Sequence, residues 1–170
     1  MEQQFQYYAF ISYKREDEKW AKWLQDRLRW YKLPSKLCRQ ITRLPKKVWP
    51  VFRDNTDLDS GRLEENIRHE LERSHYLIVI CSPEAARSPW VGKEVKYFAT
   101  LHGADKIIPF VVSGIPYSND IETECIHEQI KAISQEELLA INVREEGIGS
   151  FAMKKKRAFI RVVARLLDIK

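Results

Sequence analysis

Glu94 is the residue whose type and position best suit chemistry. Trp90 precedes it by four residues, so a helix over this segment places the two side chains on one flank. At about 100° per residue, Glu94 falls roughly 50° from the centre of the apolar stripe that Val91, Val95 and Phe98 form. A carboxylate beside an aromatic ring, at the border of a buried face, is a candidate for a functional site. Position alone nevertheless favours a structural ion pair or a helix-dipole role, which explains most acidic residues in early helical turns.

The segment before this helix has the pattern of a central strand. Residues 76–81 are apolar at every position, which is typical of a strand buried on both faces in a parallel sheet between helices. Two Ser-Pro pairs follow, at 82–83 and 88–89, and each combines an N-cap residue with a proline suited to a first helical turn. Open α/β sheets bind ligands beyond the carboxyl ends of their strands. Glu94 is therefore expected where a ligand would bind.

The rest of the chain alternates strands with helices. Four further strands are predicted, at Tyr7–Tyr13, Val48–Phe52, Ile107–Val112 and Leu138–Val143. Apolar periodicity predicts helices from Trp20 to Tyr31, from Leu63 to Leu71 and around Phe159–Leu166. Residues 34–46 are expected to form a basic connector, whereas 117–136 show no clear element. This alternation predicts an α/β, flavodoxin-like three-layer sandwich with a five-stranded parallel sheet, strand order 2-1-3-4-5, and a binding crevice between strands one and three.

The composition is that of one soluble domain. Of 170 residues, 44% are hydrophobic and 31% charged, which is ordinary for a globular chain large enough to bury a core. The cysteines have no paired metal-ligand spacing, so neither a metal site nor a disulfide framework is expected; they are Cys38, Cys81 and Cys125. The first residues do not resemble a signal peptide, and no apolar run is long enough to span a membrane. A cytoplasmic location is therefore expected.

The positive charge is unevenly distributed. The net charge is +5, and the segment 27–47 contains eight basic residues and no acidic one; a second basic cluster lies at 154–157. Such clusters can meet nucleic acid phosphates, but they are more often solvated surface. Because the aromatic residues that single-strand binders carry on their strands are missing, nucleic acid is not an expected partner.

Several common uses of this fold class lack their motifs. Neither G-x-G-x-x-G nor G-x-x-x-x-G-K-[ST] occurs, and the chain has only six glycines. A phosphate-receiving regulator would need an aspartate at the end of the third strand, where Cys81, Ser82 and Pro83 stand instead. No G-x-S-x-G nucleophile elbow is present. No bound cofactor is therefore expected.

Four motifs, in order and at the right spacing, resemble a bacterial TIR (Toll/interleukin-1 receptor) domain. They are FISYKR at 10–15, FRDNTDLDSG at 52–61, LIVICSP at 77–83 and WVGKE at 90–94. The resemblance covers essentially the whole chain, so residues 1–170 are expected to form a single TIR domain. It implies a five-stranded parallel sheet, and self-association through the loop after strand two, here Arg53–Gly61. It also implies cleavage of NAD+, as substrate, at the nicotinamide–ribose bond, as in the TIR enzymes of antiphage defence.

The resemblance also implies roles for individual residues. The catalytic glutamate of the NAD-cleaving enzymes lies in a W-x-x-x-E pattern, which here is Trp90 to Glu94. Their substrate-contacting basic pair corresponds to Lys14 and Arg15, and an acidic position of the second motif corresponds to Asp59; Ser12 and Trp90 of the first and fourth motifs are also expected to contact the substrate. Lysine stands at 14 where arginine is frequent, which keeps the charge but loses a bidentate phosphate contact. The Arg53–Gly61 loop lacks the Pro-Gly of receptor-type members, so receptor-style contacts are not expected.

A lone glutamate suits this chemistry. Nicotinamide in NAD+ is already a cationic leaving group, so the general acid of a typical glycosidase pair is unnecessary. One carboxylate beside an aromatic wall can stabilise an oxocarbenium-like ribose. The product is left open between ADP-ribose, a cyclic isomer and a conjugate, and a downstream effector that senses the nucleotide is an expected partner. The alternative is a non-catalytic interaction module, which would have no need of Glu94.

Overall fold

The computed structural model describes residues 4–54, 61–134, 139–144 and 148–169, and its centre is a parallel sheet. The strands are β1 (Tyr7–Ser12), β2 (Val51–Arg53), β3 (Ser74–Cys81), β4 (Ile107–Val111) and β5 (Ile141–Asn142). Their order is β2-β1-β3-β4-β5, and every neighbouring pair is parallel. The predicted fold class and strand order are confirmed.

Helices cover both faces of the sheet. They are α1 (Glu18–Trp30), α2 (Ser35–Gln40), α3 (Gly61–Glu72), α4 (Pro83–Ala86), α5 (Pro89–His102), α6 (Glu128–Ile133) and α7 (Phe151–Leu166). Two of them correct the sequence analysis, because α2 lies in the predicted connector and α6 in the segment without a clear element. In α2 no residue is buried, and in α6 only Ile130 is, so neither has the apolar periodicity that identifies a helix in a sequence. None of the described helices is long and apolar enough to cross a membrane.

β1 and β4 each end one residue earlier than predicted, and two other strands are much shorter than predicted. β2 begins at Val51 rather than Val48, after Pro50, which has no N–H to donate to a neighbouring strand. The Pro50 carbonyl oxygen accepts from Tyr8 N at 2.7 Å, so pairing with β1 starts at this residue. β5 has two residues, although Val143 N still donates to the Val111 carbonyl oxygen at 3.1 Å.

The core has two halves, one on each side of the sheet. On one face, Leu24 and Leu28 of α1 pack with Val162 and Leu166 of α7. On the other face, Ile67 and Leu71 of α3 pack with Val95 and Phe98 of α5.

β3 supplies both halves with alternating residues, namely Ile78 and Ile80 to the first and Leu77 and Val79 to the second. The pattern predicted for a strand buried on both faces is therefore confirmed.

A buried polar pair joins the ends of β1 and β3. Asp17, in a short 3-10 turn after β1, is 8% exposed, and Ser82, just after β3, donates from Oγ to its Oδ2 at 2.5 Å. The same Ser82 oxygen accepts from Ala85 N at 3.1 Å and so caps α4. Burial raises the pKa of Asp17, and the hydrogen bond from Ser82 opposes that shift. This pair lies at the switch point of the strand order, where ligands of such sheets bind.

Ser82→Ala is expected to destabilise the protein by about 2–3 kcal/mol, because it removes a helix cap and leaves a buried carboxylate without its donor. Ser150→Ala is the matched control: Ser150 caps α7 by accepting from Met153 N at 3.3 Å at an exposed site, so its loss should cost only about 1 kcal/mol. Urea unfolding of the two variants measures the difference. Equal losses would mean that the Asp17–Ser82 bond contributes no stability.

Candidate active site

Glu94 is almost completely buried in α5, with 3% of its surface exposed. Its Oε1 accepts from the Oγ of Ser12, the fully buried last residue of β1, at 3.2 Å. Its Oε2 is also buried and has no hydrogen-bond partner among the described residues. Glu94, predicted at the border of the apolar stripe, is therefore buried more deeply than expected, and one of its carboxyl oxygens is left without a described partner.

The surroundings of Glu94 favour its neutral form. Burial raises the pKa of Glu94 well above its usual value, the nearby Asp54 carboxylate raises it further, and the hydrogen bond from Ser12 opposes both. Asp54 directly follows β2, whose Arg53 pairs in register with Ile11 of β1, so Asp54 comes beside Ser12. The site thus combines a buried acid with a second carboxyl group that disfavours its ionisation.

The end of β2 is held by a polar network around Arg53. Its Nε donates to Gln25 Oε1 at 3.1 Å, its Nη1 donates to the Tyr13 hydroxyl at 2.9 Å, and Nη1 lies 3.6 Å from Glu18 Oε1. The Tyr13 hydroxyl in turn donates to the Asp54 carbonyl oxygen. These contacts fix the point from which the chain enters the segment 55–60.

A cavity of about 330 Å³ lies between α3 and α5. Ile67 and Leu71 of α3 and Trp90 of α5 form apolar walls, and Glu94 is part of the same lining. A concave apolar pocket that contains one buried acid with a raised pKa is the usual form of a small-molecule site.

Of the other predicted site residues that the structure describes, only Trp90 lines the cavity. Ser12 does not line it and only donates a hydrogen bond to Glu94. Lys14 is half-buried and Arg15 is exposed at the start of the 3-10 turn, and neither lines this cavity. Asp59 lies outside the described residues, as does most of the predicted Arg53–Gly61 loop: Arg53 is the last residue of β2, and Gly61 is the first of α3.

His127 is a site-positioning residue that the sequence analysis did not single out. Its Nδ1 accepts from Gln129 N at 3.0 Å, which caps α6, so the neutral ring carries its proton on Nε2. Nε2 donates to the Ser88 carbonyl oxygen at 2.9 Å, and Ser88 Oγ caps α5 by accepting from Val91 N. Burial lowers the pKa of His127, which favours the neutral ring. No sequence pattern indicated this contact, because His127 lies 39 positions after Ser88.

The described residues contain no candidate metal site. In the part of the chain that the structure describes, no three His, Cys, Asp or Glu side chains are grouped to hold a metal ion. The described cysteines are all free thiols; Cys81 and Cys125 are buried, and burial raises the pKa of Cys125 to about 11.

Comparison with known proteins identifies related chains. A family model described as TIR domain matches residues 9–146. An NAD(+) hydrolase, ApTIR, of an Actinoplanes species is 36% identical over 110 residues, which are 64% of this chain and 14% of that protein. The chain therefore spans only a small part of the length of this relative. The TIR domains in the structure of the activated Roq1 resistosome directly recognizing the pathogen effector XopQ align with a TM-score of 0.41 and 18% identity, over 61% of this chain and 55% of that one.

Because His127 packs closely against Gly92, replacing Gly92 with alanine is predicted to destabilise the protein, the opposite of the usual effect in a helix. Replacing a glycine inside a helix with alanine normally stabilises it by roughly 1 kcal/mol. At Gly92, however, a Cβ atom would lie 2.5 Å from His127 Cε1, so Gly92→Ala is expected to lower the stability and to displace the start of α5. The double variant Gly92→Ala/His127→Ala should recover part of that loss, as a thermal-unfolding double-mutant cycle would measure. Additive losses would show that the ring does not oppose the new methyl group.

Proposed function

Because the chain belongs to the TIR domain family, whose model matches residues 9–146, we propose that it is an NAD+ glycohydrolase. In this proposal it cleaves the nicotinamide–ribose bond and forms ADP-ribose or a cyclic or conjugated derivative. The observation that carries the proposal is the buried Glu94, which has one carboxyl oxygen without a hydrogen-bond partner among the described residues and belongs to the lining of a cavity beside Trp90. The similarity to a relative named as an NAD(+) hydrolase supports the same substrate.

The proposed reaction needs one carboxylate and a water molecule. The bond between ribose C1′ and the pyridinium nitrogen breaks, its electron pair goes to the nitrogen, and neutral nicotinamide leaves. Ionised Glu94 stabilises the oxocarbenium ion that remains on the ribose. Water then attacks C1′ and gives its proton to Glu94. The overall change is NAD+ and water to ADP-ribose, nicotinamide and one proton, which solvent receives when substrate binding ionises Glu94.

Ser12 and Trp90 prepare the site for this step. The hydrogen bond from Ser12 fixes one oxygen of Glu94, so the other is held towards the substrate. The Trp90 ring offers a face for the cationic nicotinamide, because aromatic rings attract cations above their faces. Together with the apolar walls of Ile67 and Leu71, it also limits the access of water to the reacting carbon.

Lys14, Arg15 and Asp59 complete the proposed substrate contacts. Lys14 and Arg15 follow β1 directly, at the carboxyl edge of the sheet, where two positive charges suit the phosphates of a dinucleotide. Asp59 retains its proposed role from the motif resemblance. By the same resemblance, we propose a cytoplasmic role in antiphage defence, in which the enzyme depletes NAD+ or makes a nucleotide that an effector senses.

Glu94→Gln is expected to reduce NAD+ cleavage by at least about a hundredfold, because the neutral amide cannot balance the charge of the transition state. Incubation of the purified protein with NAD+ and mass spectrometry of the products measures the loss and identifies the product. Glu84→Gln, at an exposed position of α4, is the matched control and should keep normal turnover. Unchanged turnover in Glu94→Gln would remove Glu94 from the mechanism.

The stability of the same variant checks that its fold is intact. The folded-state pKa of Glu94 is raised above its unfolded value, so the stability it contributes is fully present below about pH 4 and is lost as the pH rises through the raised pKa. Glutamine does not ionise and escapes this loss. The variant should therefore gain in melting temperature relative to the native protein as the pH rises from about 5 to 8. A melting temperature well below the native one at every pH would mean that the inactive variant is misfolded.

Self-association through the Arg53–Gly61 loop is the second part of the proposal. Beyond the buried Asp54, the loop contains Asp57 and Asp59 in a protein of net charge +5, so it can meet a basic surface of another copy. A head-to-tail contact of this kind does not close on itself and gives open assemblies.

Activity per subunit is therefore expected to rise with protein concentration. It should fall as salt increases from about 0.05 to 0.5 M, because exposed charges are then screened. Initial rates over about two orders of magnitude in concentration, with light scattering on the same samples, test this dependence. Restoration of the low specific activity on dilution is the control for reversible assembly. A specific activity that stays constant across the range would exclude activation by assembly.

A further inference from the structure

The cavity beside Glu94 is too small for a whole dinucleotide. Its volume of about 330 Å³ is at the lower end of the roughly 300–1,000 Å³ of small-ligand sites. NAD+ consists of two nucleosides joined by a pyrophosphate, so the cavity suits one of them. If the nicotinamide riboside half contacts Glu94, the adenosine half must leave the cavity across its rim.

The rim between α3 and α5 is positively charged and contains a planar stack. Three cations line it, namely Arg68, Lys93 and Lys96, against one acidic residue at the rim, Glu64. The guanidinium carbon of Arg68 lies 5.4 Å from the centroid of the Tyr97 ring. Arg68 thus presents a flat cationic surface above an aromatic ring, an arrangement on which nucleobases stack and beside which phosphates bind.

The contacts of this stack leave Arg68 able to meet a ligand. The Tyr97 hydroxyl donates to Glu72 Oε1 at 2.5 Å, which fixes the ring. Arg68 Nη2 is 3.0 Å from Glu64 Oε1, with the two side chains 53% and 34% exposed. An exposed ion pair four residues apart on a helix contributes little to stability. A phosphate, which binds guanidinium through two parallel hydrogen bonds, can therefore compete with Glu64 for Arg68.

We propose that the outer groove between α3 and α5 is the subsite for the adenosine half of the dinucleotide. A phosphate binds Arg68, and the purine stacks on the Arg68–Tyr97 pair. Lys93 and Lys96 add positive charge that attracts the substrate to the groove. This inference rests on the proposed function, because it assumes the nicotinamide riboside half at Glu94. It distinguishes Arg68 from Lys14 and Arg15, which do not line this cavity.

Two substrates that share the reacting bond test the subsite. NAD+ contains the adenosine half, whereas nicotinamide riboside has neither phosphate nor purine. Arg68→Ala should lower kcat/KM for NAD+ about tenfold, mainly through KM, since the contact is about equal in ground and transition states. It should leave kcat/KM for nicotinamide riboside unchanged. Arg73→Ala is the matched control, because Arg73 forms a similar helical ion pair with Glu70 (3.7 Å) but does not line the cavity; it should change neither value.

Three kinetic results would overturn the assignment. Equal losses for the two substrates in Arg68→Ala would mean that Arg68 acts on the fold of the site. An unaltered kcat/KM for NAD+ would place the adenosine half elsewhere. Lys14 and Arg15 are proposed to meet the other phosphate, so a loss specific to NAD+ in Arg15→Ala overturns the subsite only if Arg68→Ala is normal, which would place both phosphates beside the end of β1.

Calorimetry with ADP-ribose separates this inference from the proposed function. ADP-ribose has no nicotinamide and is not turned over, so its binding can be measured whether or not the protein cleaves NAD+. Binding should weaken about tenfold in Arg68→Ala and in Tyr97→Ala, and should be unchanged in Arg73→Ala. Absence of NAD+ cleavage together with this pattern would reject the glycohydrolase proposal and keep the subsite. Native-like ADP-ribose binding in Arg68→Ala, or no binding to the native protein, would reject the subsite.

Discussion

The structure depends on how a carboxylic acid is buried between β1 and α5. Glu94 has a single described hydrogen-bond partner, Ser12, and an ionised carboxylate so placed would lose its hydration without gaining a cation. Burial therefore raises the pKa of Glu94 and favours the neutral acid, which the surrounding fold makes tolerable. β1 must end at Ser12 and α5 must begin near Ser88 for the two side chains to meet. The cap on α5, the bond from His127 to Ser88 and the Asp17–Ser82 pair all fix these two ends.

Much of this architecture could be predicted from local patterns. The apolar run of β3 indicated a central strand because it satisfies both faces of the sheet, and the structure places its residues alternately in the two halves of the core. The Ser-Pro pairs indicated the starts of α4 and α5, where Ser82 and Ser88 do cap the helices. Such signals succeed because each depends on residues within one or two turns of one another. The prediction missed short elements such as α2, because α2 buries no residue and so has no apolar periodicity in its sequence.

The electrostatics of the candidate site could not be predicted in the same way. A helical wheel placed Glu94 at the border of the apolar stripe, but its depth depends on α3, β1 and β2, which lie far away in sequence. The raised pKa of Glu94 depends on burial and on Asp54, forty residues earlier. His127 likewise meets Gly92 and Ser88 only because α6 folds back onto the start of α5. The chemical properties of this site thus depend on tertiary packing. The sequence identified Glu94 as a candidate but could not predict the shift in its pKa.

In the proposed reaction, the charge of the substrate turns this resting acid into a catalyst. The oxidised nicotinamide ring is a cation, and a cation close to Glu94 favours the carboxylate form. When the glycosidic bond breaks, the positive charge moves from the ring to the ribose, so the carboxylate stays opposite a cation throughout the step. A reduced nicotinamide ring carries no such charge, so it would neither ionise Glu94 nor leave as a neutral product. In this proposal, the burial that favours the neutral form of Glu94 in the free protein therefore also selects the oxidised dinucleotide.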